Sequence, residues 1–91
     1  MTEAAHEDRC ASTAAALFSA ARDAGMLITG DGRVSEADAA ALLGYGAETL
    51  AKKRAEAKGP PSYRLPCGGA RVSYRVADLA GWVEEHRDEI F

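Results

Sequence analysis

Gly44-Tyr45-Gly46 divides a segment otherwise built from helix formers. Glycines on both sides of one aromatic residue let the backbone change direction where a continuous helix cannot. Upstream, Ser35 stands where a helix N-cap is expected, with Asp38 three residues on as a shorter substitute for the glutamate of a capping box. Ala37, Ala40, Ala41 and Leu43 follow, which predicts a helix over about 36–43. Downstream, Ala47-Glu-Thr-Leu-Ala-Lys-Lys-Arg-Ala-Glu-Ala-Lys resumes strong helix formers until Gly59-Pro60-Pro61 stops them. Two short helices joined by a three-residue, glycine-containing turn are the signature of a helix-turn-helix unit.

The rest of the chain arranges itself around that unit. From Thr2 to about Ala24 an alanine-rich stretch without Gly or Pro places Cys10, Ala14, Leu17, Phe18 and Ala21 on one stripe, which predicts a helix closed by Gly25 in a left-handed cap. Met26-Leu-Ile-Thr reads as a short extended piece and Gly30-Asp31-Gly32 as a turn. Beyond the prolines, Ser62-Tyr-Arg-Leu and Arg71-Val-Ser-Tyr-Arg alternate, with Pro66-Cys-Gly-Gly-Ala between them as a hairpin loop. This pattern predicts a two-stranded ribbon with Tyr63, Leu65, Val72 and Tyr74 on one face and Arg64, Arg71, Ser73 and Arg75 on a basic outer face. A last helix from about Ala77 carries Leu79, Trp82, Val83, His86 and Ile90 as its apolar stripe, so Trp82 reads as core. Ninety-one residues make one domain. The expected layout is a helical arm over 1–25 and a body over 34–91, together a single compact unit.

A net charge of −3 conceals a blocked distribution. Residues 1–48 carry Arg9, Arg22 and Arg33 against eight acids. Residues 49–75 carry Lys52, Lys53, Arg54, Lys58, Arg64, Arg71 and Arg75 against Glu56 alone, and residues 76–91 carry Arg87 against five acids. A cationic block flanked by acidic arms is the footprint a polyanion binds. It coincides with the second helix and the ribbon.

With Leu50 inward, a rotation of about 100° per residue leaves Glu48, Ala51, Lys52, Ala55 and Glu56 outward and puts Lys53, Arg54 and Ala57 on the flanks. An α-helix fits the major groove of B-DNA, where Lys52 can donate to guanine, Glu48 can accept from the cytosine amino group, and Ala51 or Ala55 can touch a thymine methyl. Cations on the flanks and ribbon, Lys53, Arg54, Lys58, Arg64, Arg71 and Arg75, suit phosphates, with the Ser73 hydroxyl beside them.

The run Val34-Ser-Glu-Ala-Asp-Ala-Ala-Ala-Leu-Leu-Gly-Tyr-Gly-Ala-Glu-Thr-Leu, then Lys58-Gly-Pro-Pro, Tyr63-Arg-Leu, Arg71-Val-Ser-Tyr-Arg and Asp78-Leu-Ala-Gly-Trp-Val resembles the MerR-like winged helix-turn-helix family of phage and plasmid excisionases and related small regulators. The resemblance covers residues 34–83. It departs from the family pattern at Lys53, where an aromatic is common, and at Gly46-Ala47, where a hydroxyl or basic residue is common. It implies a mainly α fold with a small two-stranded β wing, preceded here by the N-terminal helix. Its second helix would enter the major groove through Glu48, Thr49, Lys52 and Lys53, and its wing would contact the neighbouring minor groove or backbone through Arg64, Arg71 and Arg75.

The function expected from residues and resemblance together is sequence-specific binding of double-stranded DNA in a mobile element, as an excisionase-like recombination directionality factor or a small transcriptional regulator. A homodimer or a cooperative assembly on DNA is one expected partnership, because a single small module buries little DNA surface. The N-terminal helix is the candidate contact for a protein partner. The competing expectations are an adaptor or inhibitor module that uses its acidic arms, and the DNA-recognition subunit of a viral packaging complex.

Other chemistries fit poorly. Gly30-Asp-Gly-Arg-Val-Ser-Glu-Ala-Asp matches an EF-hand loop only at its glycine, Val34 and Asp38, and lacks the leading carboxylates. His6 and Cys10 share a helix face, but Cys67 and His86 would have to complete any metal site from distant places. Neither histidine has a nucleophile at motif spacing, and no glycine-rich phosphate loop precedes a helix. No enzyme, metal or cofactor is expected. Cys10 and Cys67 read as incidental thiols and the acidic start as a cytoplasmic one, with no membrane span.

Overall fold

A computed structural model describes residues 3–64 and 71–87. Pro66-Cys-Gly-Gly-Ala and Leu65, together with Ile90, fall outside the described residues. Seven elements follow in order: α1 (Glu3–Asp23), β1 (Arg33–Ser35), α2 (Glu36–Leu43), α3 (Ala47–Ala55), β2 (Tyr63–Arg64), β3 (Val72–Arg75) and α4 (Val76–Glu85). The fold is mainly helical with a small antiparallel sheet.

Local chemistry sets most of the boundaries. After α1, Gly25 adopts a left-handed φ of 72°, its N–H donates to Arg22 O and the Met26 N–H to Ala21 O. This pair of bonds is a Schellman closure. Ser35 Oγ accepts from the Asp38 N–H at 3.1 Å and so caps α2, while Gly44, at φ 82°, closes it. The next helix stops sooner than its composition predicts, at Ala55 instead of Lys58. There the chain makes a second closure of the Schellman type, with Ala57 at φ 57° donating to Arg54 O and Lys58 to Lys53 O. Gly59 then runs back against α3, where a Cβ would stand 3.4 Å from Lys53 Cβ.

The sheet differs from the expected ribbon in two ways. It has three strands, in the order β1-β3-β2, because Arg33-Val34-Ser35 pairs with β3. A three-residue strand wedged between a turn and a helix cap has no alternation of its own to reveal it. Its partner lies some 40 residues away, and β3 becomes the central strand. The register also departs from the expected faces. Tyr63 stands opposite Ser73 and Arg64 opposite Val72. Directly paired residues share a face, so Arg64 sits with Val72 and Tyr74, while Tyr63 sits with Ser73 and Arg75. A one-residue offset has exchanged the two β2 side chains.

The core lies between the sheet and the helices. Val34, Ala39, Ala40, Leu50, Tyr74, Val76 and Leu79 are buried together, with Leu17, Phe18, Ile28, Leu42, Leu43, Tyr45 and Val72 packed around them. Burying a side chain such as Leu50 contributes about 1.5–3 kcal/mol. The first helix packs along α4 and against α2. Ala21 is fully buried there, Arg9 Nε donates to Glu84 Oε1 at 3.2 Å, and Thr13 Oγ1 donates to Glu84 Oε2 at 2.8 Å. Trp82 is half-buried, with Tyr45 edge-on at 6.0 Å and the His86 ring tilted over it at 4.3 Å.

Candidate nucleic-acid interface

The third helix is anchored by Leu50, which is fully buried, and turns Glu48, Thr49, Lys52, Ala55 and Glu56 to solvent. The spacing predicts this for Glu48, Lys52, Ala55 and Glu56, whereas Ala51, also expected outward, is half-buried and Thr49 takes a place on the exposed side. Lys53 is half-buried at the flank, its Nζ 5.5 Å from the centre of the Tyr45 ring, a cation–π distance. Lys58 is exposed just beyond the helix end.

Arg54, half-buried on the flank like Lys53, is the more constrained of the two. Its Nε and one terminal nitrogen donate to the two Glu36 carboxylate oxygens at 2.7 and 3.2 Å, a two-pronged grip. The Tyr74 hydroxyl donates to Glu36 Oε2 at 2.7 Å from the fully buried ring. Arg54 holds the Glu36 carboxyl below its ordinary value, helped by the Tyr74 hydroxyl and the nearby charge of Arg64, and opposed by burial. Burial in turn pushes the Tyr74 phenol up to about 12. The exposed Arg64 therefore lies near the junction of α3, the start of α2 and the central strand.

On the other face of the sheet a second cluster forms. Arg33 and Arg75 stand directly opposite each other on β1 and β3, where like charges repel. Asp31 sits between them: Arg33 Nε donates to both its oxygens at 2.9 and 2.8 Å, and an Arg75 terminal nitrogen approaches to 3.5 Å. The Thr29 hydroxyl, the Arg33 hydrogen bond and the charge of Arg33 hold the Asp31 carboxyl far below the usual carboxylate range. Arg75 also lies 5.0 Å over the ring of Tyr63, whose hydroxyl donates to Asp78 Oδ2 at 3.1 Å.

Ser73 needs correcting as an outer-face residue. Only 9% of it is exposed, and its hydroxyl accepts from Arg33 Nη1 at 2.7 Å. The Arg33 side chain, reaching from the neighbouring β1, lies against it. Arg71 is exposed. The geometry thus brings Glu48, Thr49 and Lys52 onto one helical surface, with Lys58 exposed past the helix end and Arg64 beside the Glu36 junction, and sets Arg75 on the opposite side of the sheet. Arg33, which the sequence reading left out of the basic surface, belongs to the Arg75 cluster. Its place opposite Arg75 follows only once β1 is recognised as a strand.

Between α1 and α4 an open groove of about 640 Å³ is lined by Asp8, Arg9, Thr13, Val83, Glu84 and Arg87, among others. His6 Nε2 and Cys10 Sγ are 3.6 Å apart. Among the described residues no three His, Cys, Asp or Glu side chains gather where they could hold a metal ion, and no helix is long and apolar enough to cross a membrane. The chain matches no family model, no curated protein and no solved structure.

Proposed function

We propose that this chain binds double-stranded DNA as a winged helix-turn-helix of the MerR-like kind, with α3 in the major groove and the β2–β3 hairpin as the wing on the neighbouring backbone or minor groove. The observation that carries the reading is the outer face of α3. Glu48, Thr49 and Lys52 are free of the core on a helix whose inner side is fixed by Leu50. A groove-reading helix needs that combination of rigid placement and short or polar outward side chains.

In this reading Lys52 and Glu48 address base edges, and Thr49 lies beside them. Lys53, Lys58, Arg64 and Arg71 address phosphates, which fix register without reading sequence, while Arg75, on the other side of the sheet beside Asp31, is not among them. A domain this small gains useful affinity from a second copy or a neighbour on the DNA. The role that fits is a recombination directionality factor or small transcriptional regulator of a mobile element.

Mobility shifts against random and selected duplexes over a salt series test the proposal. About five phosphate contacts would make log affinity fall with log salt at roughly −0.9 per contact. Lys52→Ala should relax preference at one base, and Arg71→Ala should weaken all sequences alike. Failure to retard any duplex at low salt would end this reading.

A further inference from the structure

We infer that Glu36 and Arg54 form a positioning pair, which sets the angle between α3 and α2 and so governs which bases α3 reads, and that Arg54 is not one of the phosphate contacts. The inference rests on the DNA-binding reading above and deepens it. Glu36 opens α2, Arg54 closes α3, and Tyr74 lies at the centre of the sheet. One carboxylate therefore joins three elements, through partners 18 and 38 positions further along the chain. The two arginine bonds at 2.7 and 3.2 Å fix the guanidinium plane and engage two of its five N–H groups. The Tyr74 hydroxyl at 2.7 Å supplies a third direction from a ring that cannot move without disturbing the core. The junction adds to Leu50 a second fixed point on α3, about one turn further along.

The pair is also electrically balanced, which separates the two roles Arg54 could play. A phosphate-contacting arginine adds to the salt dependence of binding, whereas an arginine neutralised by Glu36 adds none. Glu36 gives a sharper contrast still. Removing an acid from a DNA-binding surface should strengthen binding if its charge is all that matters, whereas removing a positioning acid should weaken recognition.

The test uses the duplex that the wild-type protein selects from a random pool and a scrambled duplex of the same length, at a temperature where circular dichroism shows each variant folded. Glu36→Gln and Arg54→Lys should each lower the ratio of selected to scrambled affinity by about tenfold, the scale of one base contact. The double variant Glu36→Gln/Arg54→Gln keeps the net charge and should lose the same discrimination while retaining the wild-type salt slope. Tyr74→Phe deletes a single hydroxyl from the junction; it should lower the ratio in the same direction, and it stands in if the arginine variants do not fold. Tighter binding by Glu36→Gln, full discrimination in Arg54→Lys, or a salt slope about 0.9 shallower in the double variant would overturn the inference while leaving the DNA-binding reading intact. A wild-type protein that selects no duplex at all would overturn both.

Discussion

On the side of the sheet covered by α2, Arg54 grips Glu36 with a buried tyrosine as third partner; on the other side Arg33 and Arg75 share the exposed carboxylate of Asp31. Both are arginine–carboxylate clusters, and both draw a carboxyl below its ordinary value. Their surroundings separate them. Glu36 and Arg54 side chains are 20% and 30% exposed and tie elements together across the core, whereas Asp31 is 43% exposed and bonds chiefly to its own turn and to a 14% exposed Arg33 on the strand it enters, with Arg75 of β3 farther off at 3.5 Å. Screening by water leaves an exposed pair little net effect, while a partly buried pair that loses one member leaves the other poorly solvated. Similar chemistry therefore acts as a structural joint on one face and as charge neutralisation between two facing arginines on the other.

Perturbing each side in turn sharpens that contrast. The largest effect belongs to the apolar anchor beneath the joint: Leu50→Ala should lower unfolding free energy by about 2–4 kcal/mol in urea melts, and a smaller loss would mean that α3 is held mainly by its polar bonds. Next, Arg54→Ala should lower it by about 1–2 kcal/mol, reduced from the fully buried case because both partners retain water contact. The same joint should respond to acid. Because the folded state keeps the Glu36 carboxyl below its ordinary 4.5, the stability it lends is complete above that pH and fades as pH falls through the lower folded value. Wild type and Glu36→Gln should therefore differ at pH 7 and converge as the solution is made more acid, and a constant gap would assign the effect to something other than this proton.

Ala57→Gly, at the left-handed end of α3, should raise stability by about 0.5–1 kcal/mol, since a Cβ at φ 57° is strained where glycine is not. Asp31→Asn should have the smallest effect on melting of all these variants. A loss matching that of Arg54→Ala would erase the distinction between the two faces.

What could be read from the sequence follows the same division between local and distant causes. Ser35, Gly25 and Gly44 act on backbone within a few residues, so their caps follow from residue type. Leu50 and the outward face of α3 follow from helical rotation alone. The first strand was hidden because Arg33-Val34-Ser35 becomes a strand only through β3. Tyr63 misled because an aromatic beside alternating residues suggests the core, although its hydroxyl reaches Asp78 and its ring carries Arg75 on the opposite face. The Glu36–Arg54 bond spans 18 residues and crosses between helices, which no spacing rule reports. Composition records charge and polarity without recording which groups the fold engages, so it shows neither the Arg54 bond to Glu36 nor the Arg33 bond to Ser73.

The clasp of Arg9 and Thr13 on Glu84 makes the leading helix a structural wall, not a detachable handle. Deleting it to look for lost partners would also bare one side of α4 and unseat Ala21, so a vanished interaction would be indistinguishable from a damaged body. Cross-linkers, fluorophores or bulky replacements belong instead at outward positions such as Ala15 and Ala16, where they interrogate whatever approaches that wall while leaving the masonry behind it undisturbed.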